Sequence, residues 1–211
     1  MKDVNVSVQG VRDGSKTKKL VMIAILGGLS AVLMFFKFPI PFMPPFMEFD
    51  FAGVVELIGG FTLGPLAAFL IVLIKILVKL VLMGSTTAFT GELSNFILSC
   101  SYVIPAVIIY QHQKSKHSAL WGMMVGTGVC SALAIISNMY FIIPFYSQFL
   151  GLSMEAIIGM CNGVNPYVTD SLTLVLWGIL PFNLIKYGVT SVLAFWIYKK
   201  VSVKIKQYLL K

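Results

Sequence analysis

Apolar runs of about 20 residues recur along this chain between short polar breaks, and each is long enough to cross the hydrocarbon layer of a bilayer as an α-helix. A backbone in lipid has no water to bond with, so a spanning segment must satisfy its own N–H and C=O groups, and a helix does so internally. With 58% of its 211 residues apolar and 11% charged, the chain is also far more hydrophobic than a soluble domain of this length. The expected fold class is an all-α integral membrane protein: a six-transmembrane-helix bundle with a proline-rich outer loop set as a lid.

The polar stretches divide the chain. Residues 1–17 lack periodicity, which predicts a mobile cytoplasmic tail; 18–200 make the six-helix membrane domain, and 201–211 a basic cytoplasmic tail. The apolar runs place helices near 18–36, 51–61, 66–83, 92–110, 119–143 and 176–198, the second being short for a crossing. Between the first two, Pro39, Pro41, Pro44 and Pro45 fix φ and remove donors, so 37–50 is an extended loop. Gly64-Pro65 turns the chain into the third helix. After Pro144, Gly151, Gly159, Gly163 and Pro166 break the pattern, leaving room for a short interfacial helix. The first run follows Lys16, Lys18 and Lys19 as in a signal peptide, but no small-residue cleavage site precedes Lys37, so it is read as the first helix.

A formal charge of +8 on a soluble surface would point to nucleic acid. Here Arg12, Lys16, Lys18, Lys19, Lys114, Lys116, Lys199, Lys200, Lys204, Lys206 and Lys211 fall on the face that six crossings assign to both termini, against Lys37 in the opposite loops. The charge therefore reads as orientation, with both termini cytoplasmic and no nucleic-acid partner. The outer loops carry Glu48, Asp50, Glu155 and Asp170.

Ionisable and amide groups inside the spans mark candidate functional positions. Lys75 and Lys79 share a face of the third helix, where pairing with Glu56, snorkelling and ligand contact all remain open. Glu92 suits the positive end of the fourth helix or a ligand equally, with Asn95 one turn on. Asn183 and Lys186 lie three apart on one face just after Pro181, and Asn138 lies toward the same outer side. Each amide both donates and accepts, so it either joins helices or meets a ligand. A flat heteroaromatic with carbonyl and imide edges fits such a rim, and Phe38, Phe42, Met43, Phe46, Met47, Phe49 and Phe51 supply apolar cover for its faces. The alternative for this loop is a resting place among lipid headgroups. In the first helix, Ala24 with Gly28 and Gly27 with Ala31 have small-xxx-small spacing, which serves packing inside the protein or docking of another.

The sequence has no GxxxxGK[ST] phosphate loop, HExxH or GxSxG motif, and no Cys/His cluster, so neither a catalytic residue nor a metal ligand is assigned. Cys100, Cys130 and Cys161 read as small packing residues, and His112 and His117 as solvated flanks of a basic loop.

The run Lys37-Phe38-Pro39-Ile40-Pro41-Phe42-Met43-Pro44-Pro45-Phe46 and then Phe49-Asp50-Phe51, together with Gly64-Pro65, Ser137-Asn138 before Pro144, and Pro181-Phe182-Asn183-Leu184-Ile185-Lys186, resembles the substrate-binding S components of energy-coupling factor (ECF) vitamin transporters, specifically their riboflavin-specific group. The resemblance covers nearly the whole chain after the tail. It implies a membrane subunit that binds riboflavin as transported substrate, with no cofactor, under a proline-rich lid. Asn138, Asn183 and Lys186 would bond the flavin; Phe46, Met47 and Glu48 would line the lid, and Thr86, Thr87 and Asn95 the wall. It also implies a transmembrane coupling subunit and two cytoplasmic ATPases as partners, with Ala24, Gly28 and Ala31 as the docking surface, glycine standing at 28 where the family has alanine. Rival readings are an S component for another vitamin, a small intramembrane enzyme using Glu92 or Lys186 as acid or base, and a scaffold whose polar groups only join helices.

Overall fold

The helices form where the apolar runs lie, and prolines and glycines decide where they bend. A computed structural model describes residues 2–210 apart from Thr86, Leu150 and Leu152, with side chains from Lys16 onward except those of Tyr146, Ser147, Phe149 and Leu210. Helix α1 spans Lys2–Phe35, α2 Ala52–Leu63, α3 Pro65–Met83, α4 Thr90–Gln113 and α5 Lys116–Ser137. A π turn at Asn138–Ile142 carries α5 into α6 (Ile143–Phe149). After α7 (Met154–Asn162) in the glycine-interrupted stretch, α8 (Ser171–Leu174) and a second π turn, Val175–Ile179, lead into α9 (Leu180–Leu210).

The segment expected to be an irregular tail, 2–17, continues α1. It holds no proline, and extending an existing helix fixes one residue per added hydrogen bond, a far smaller cost than starting one. Among the described residues, five helical stretches are long and apolar enough to cross a membrane: Lys16–Phe35, Pro65–Met83, Thr90–Gln113, Lys116–Phe145 and Ser171–Leu209. The sixth expected crossing, α2, has 12 residues. It rises about 18 Å against a hydrocarbon layer of roughly 30 Å. Packed by α1, α3, α4 and α9 and buried almost throughout, it is the centre of the bundle.

Leu57, Phe61, Tyr102, Val103, Ala106 and Tyr198 form the main apolar core. Ile205, near the end of α9, clusters with Ile23 and Leu26 of α1, so the start of the apolar stretch of α1 and the end of α9 lie at one end of the bundle. A third cluster, with Ala134, Ile143, Ile157, Leu174 and Ile179, lies at the opposite end, and Phe46 and Met47 of the proline-rich loop pack on it. Large uncovered side chains such as Leu66, Val81, Leu82 and Trp196 face outward, as lipid permits.

Helices α4 and α5 approach most closely. A Cβ at Gly126 would stand 2.3 Å from the Tyr102 carbonyl oxygen, and one at Gly122 2.5 Å from that of Ala106. Two glycines four residues apart thus bring the backbones into contact. Gly126→Ala is expected to push the helices apart and destabilise the protein by about 1–3 kcal/mol. Thermal unfolding of the purified protein checks this, and an unchanged Tm would contradict it.

Candidate substrate-binding site

The lid begins with a two-residue ladder, β1 (Phe38–Pro39) against β2 (Glu48–Phe49), antiparallel with Phe38 opposite Phe49. The Phe49 ring lies 5.3 Å from that of Phe38 and 5.0 Å from that of Phe51, so aromatic contacts stiffen its base. At its tip Phe42 takes a positive φ of 64°, and its carbonyl accepts from Asn165 Nδ2 at 3.1 Å. The same Nδ2 donates to the Trp177 carbonyl at 3.2 Å. That carbonyl lies four residues before Pro181, which has no N–H to offer it. Pro44 rests on Gly178, where a Cβ would come within 2.9 Å of its Cγ.

The two π turns lie beside the two amides singled out in sequence. Wide turns leave carbonyls poorly matched to the α-helical ladder. Asn138 Nδ2 donates to Ala134 O and Asn183 Nδ2 to Ile179 O, each at 2.8 Å, and both side chains are buried. Each amide is thereby held by its own helix, and among the described residues no hydrogen bond to its oxygen is found.

Beneath the lid is a cavity of ≈ 130 Å³, open at its mouth, and Phe46, Met47, Glu48, Asn95, Asn138, Asn183 and Lys186 line it. A neighbouring lobe shares Phe46, Glu48 and Asn95 and adds Lys37, Lys79, Thr87 and Glu92. The expected wall residues thus divide: Asn95 faces both lobes, Thr87 the second alone, and Thr86 lies outside the described residues.

Lys186 does not offer a free cation. Its Nζ donates to Asp50 Oδ2 at 2.7 Å and to the Glu48 carbonyl at 3.4 Å, tying α9 to the base of the lid. Asp50 Oδ1 also accepts from Ala52 N at 2.9 Å at the start of α2. Burial alone would raise the Asp50 carboxyl; the charges of Lys186 and Lys75, with the hydrogen bonds from Lys186 and Ala52, outweigh it and hold the group below the usual carboxylate range. A depressed pKa contributes stability that is complete above the unfolded value near 3.9 and is lost as pH falls through the folded one. The stability difference between wild type and Asp50→Asn should therefore be flat from about pH 7 to about pH 5 and shrink only below about pH 4. Thermal unfolding across that range tests it, and a difference that fades between pH 7 and 5 would contradict it.

Lys75 and Lys79 separate in their partners. Lys75 pairs with Glu56 at 2.6 Å, and Lys79 with Glu92, whose other oxygen accepts from Ser85 Oγ at 2.8 Å and Thr87 Oγ1 at 3.3 Å. The small residues of α1 separate as well. Ala24 is exposed and Gly28 has open space before it, whereas Gly27 packs on Ile74. Ala31 is wholly buried, so the expectation that it belongs to a docking surface is corrected. Helical rotation places it on the inward face beside Ser30.

The family model described as "ECF transporter, substrate-specific component" matches residues 18–198. This chain belongs to that family. Among relatives, this S component is 31% identical to the riboflavin transporter RibU of Staphylococcus aureus, over 89% of this chain and 92% of the relative. It is likewise 31% identical to the riboflavin transporter FmnP of Bacillus subtilis, over 92% and 95%. A solved structure described as the S component of a bacterial ECF transporter superposes with a TM-score of 0.70 at 29% identity, covering 90% of this chain and 99% of that one. The S component is thus a multi-pass membrane transport protein and not an enzyme, it works within an ECF transporter complex, and the family indicates no cofactor.

Two residues important to the S component's lid escaped the sequence reading. Asp50 stands in the sequence as an acidic loop residue within the Phe49-Asp50-Phe51 stretch, and nothing local marks it as the partner of Lys186. Asn165 was not noted at all, although asparagine before proline is a turn signal.

Proposed function

We propose that this S component captures riboflavin on the outer side of the bacterial plasma membrane and releases it inward unchanged, working with a transmembrane coupling subunit and two cytoplasmic ATPases. The observation that carries the proposal is the convergence of Asn138, Asn183, Asn95 and Lys186 on one cavity beneath Phe46 and Met47, in a chain whose relatives bear the name riboflavin transporter. An isoalloxazine has flat apolar faces and a rim of carbonyl, imide and ring-nitrogen groups, which amide side chains complement while Phe46 and Met47 cover the face. Glu48, at the mouth, accepts from a ribityl hydroxyl, and Thr87 extends the polar wall. Both termini are cytoplasmic in this reading, because Lys16, Lys18, Lys19, Lys199 and Lys200 lie at the end opposite the lid. Ala24 and Gly28 on the outward face of α1 are the docking positions for the coupling subunit.

Titration of the purified protein with riboflavin is expected to quench flavin fluorescence with a one-to-one endpoint that pantothenate, thiamine and biotin leave unchanged. Quenching reversed by one of those vitamins would reassign the substrate, and no quenching at all would remove the riboflavin reading.

A further inference from the structure

Lys75 and Glu56 are buried outright in the middle of the bundle, at 1% and 0% exposure. Lys75 Nζ, besides its contact with Glu56 Oε1, donates to Asn95 Oδ1 at 2.8 Å and Ser99 Oγ at 2.9 Å. Ser30 Oγ of α1 donates to Glu56 Oε1 at 3.2 Å, while Glu56 Oε2 is buried with no partner among the described residues. Such an arrangement does not maximise stability. Desolvation of two charges cancels much of their attraction, and an apolar pair of equal volume is often at least as stable. Ionisable groups kept inside a membrane bundle call for another role.

That role follows from what Lys75 touches. An ammonium only donates, so it decides which end of the Asn95 amide points inward. Oδ1 turns to Lys75 and to Ser99 Oγ, 3.4 Å away, leaving the Nδ2 hydrogens for the cavity that Asn95 lines. Asn138 and Asn183 are set the opposite way, each giving one Nδ2 hydrogen to its own helix so that Oδ1 is turned from that helix toward the cavity both line. We propose that Lys75, itself held by Glu56, is a positioning residue that makes Asn95 a fixed hydrogen-bond donor toward bound substrate, so that the site sets one donating amide against two accepting ones. The ligand edge facing α4 must then carry an acceptor, a carbonyl oxygen or ring nitrogen. This inference rests on the riboflavin reading for its ligand.

A double-mutant cycle tests it. Lys75→Met with Glu56→Gln removes both charges together, and is expected to weaken riboflavin binding about tenfold. In an Asn95→Ala background the same pair of changes should have almost no further effect, because the residue it acts through is gone. Lys75→Arg, which keeps charge and donors, should bind within about threefold of wild type. Equal losses in both backgrounds, or no loss in the first, overturn the inference while leaving the riboflavin reading intact; a wild type that binds no flavin removes both. Should the paired variant lose its fold, Asn95→Asp decides the matter: it keeps an acceptor toward Lys75 but replaces the inward donor with an acceptor. Its affinity should fall about tenfold or more, and wild-type affinity would overturn the inference.

Discussion

Lys186→Ala is expected to lower riboflavin affinity by about 100-fold or more, the largest loss from any single change at the site. Two effects combine. The variant removes a side chain that lines the cavity, and it leaves the buried Asp50 carboxylate without its cation at the point where α9 holds the lid base. Breaking a buried pair from one side costs about 3–5 kcal/mol, because the remaining charge stays desolvated. Part of that cost falls on folding and part on the geometry of Glu48 and Phe49, which adjoin Asp50 in β2. A second variant separates the two: Lys186→Met with Asp50→Asn removes both charges, and should recover most of the thermal stability while still binding flavin weakly. Fluorescence titration and thermal unfolding of the three proteins make the comparison. Wild-type affinity in Lys186→Ala would show that neither the pair nor the cation serves the ligand.

Gly27 and Gly28 are adjacent, yet bulky substitutions at the two are expected to fail in opposite ways. A Cβ at Gly27 would stand 2.5 Å from Ile74 Cγ2 and 2.7 Å from Ile74 Cβ, so Gly27→Val should force α1 from α3 and destabilise the protein by about 1–3 kcal/mol or more. Among the described residues, nothing lies within 4 Å of a Cβ at Gly28. Gly28→Trp should therefore leave Tm and riboflavin affinity near wild type, yet abolish co-purification with the coupling subunit and hence uptake by the assembled transporter. The reverse pattern, with Gly28→Trp assembling normally, would place the docking surface elsewhere. Ala31, buried on the inward face, fits the division: of the two small-residue pairs in this helix, Gly27 with Ala31 packs inside the fold, and Ala24 with Gly28, the proposed docking positions, stays on the outward face.

The residues that were legible in sequence share a property. Asn183 and Lys186 lie three apart on one helix, and Phe46, Met47 and Glu48 are consecutive in a loop that prolines keep extended, so local geometry alone places each group together. Gly122 and Gly126 have the same four-residue spacing that drew notice in α1, but spacing does not say which copies face a neighbour.

Hydrophobic run length and the position of prolines and basic residues determined the membrane class, the approximate helix limits and the lid, because these follow from the solvent a segment requires and from φ restrictions within a few residues. Tertiary structure alone decided which charges meet. Lys186 finds Asp50 across 136 positions of chain, Lys75 chooses Glu56 while its neighbour Lys79 takes Glu92, and α2, only 12 residues long, becomes the centre of the bundle. Those outcomes depend on how helices distant in sequence pack around one another, and no local pattern encodes the angle at which a side chain on one helix meets its partner on the next.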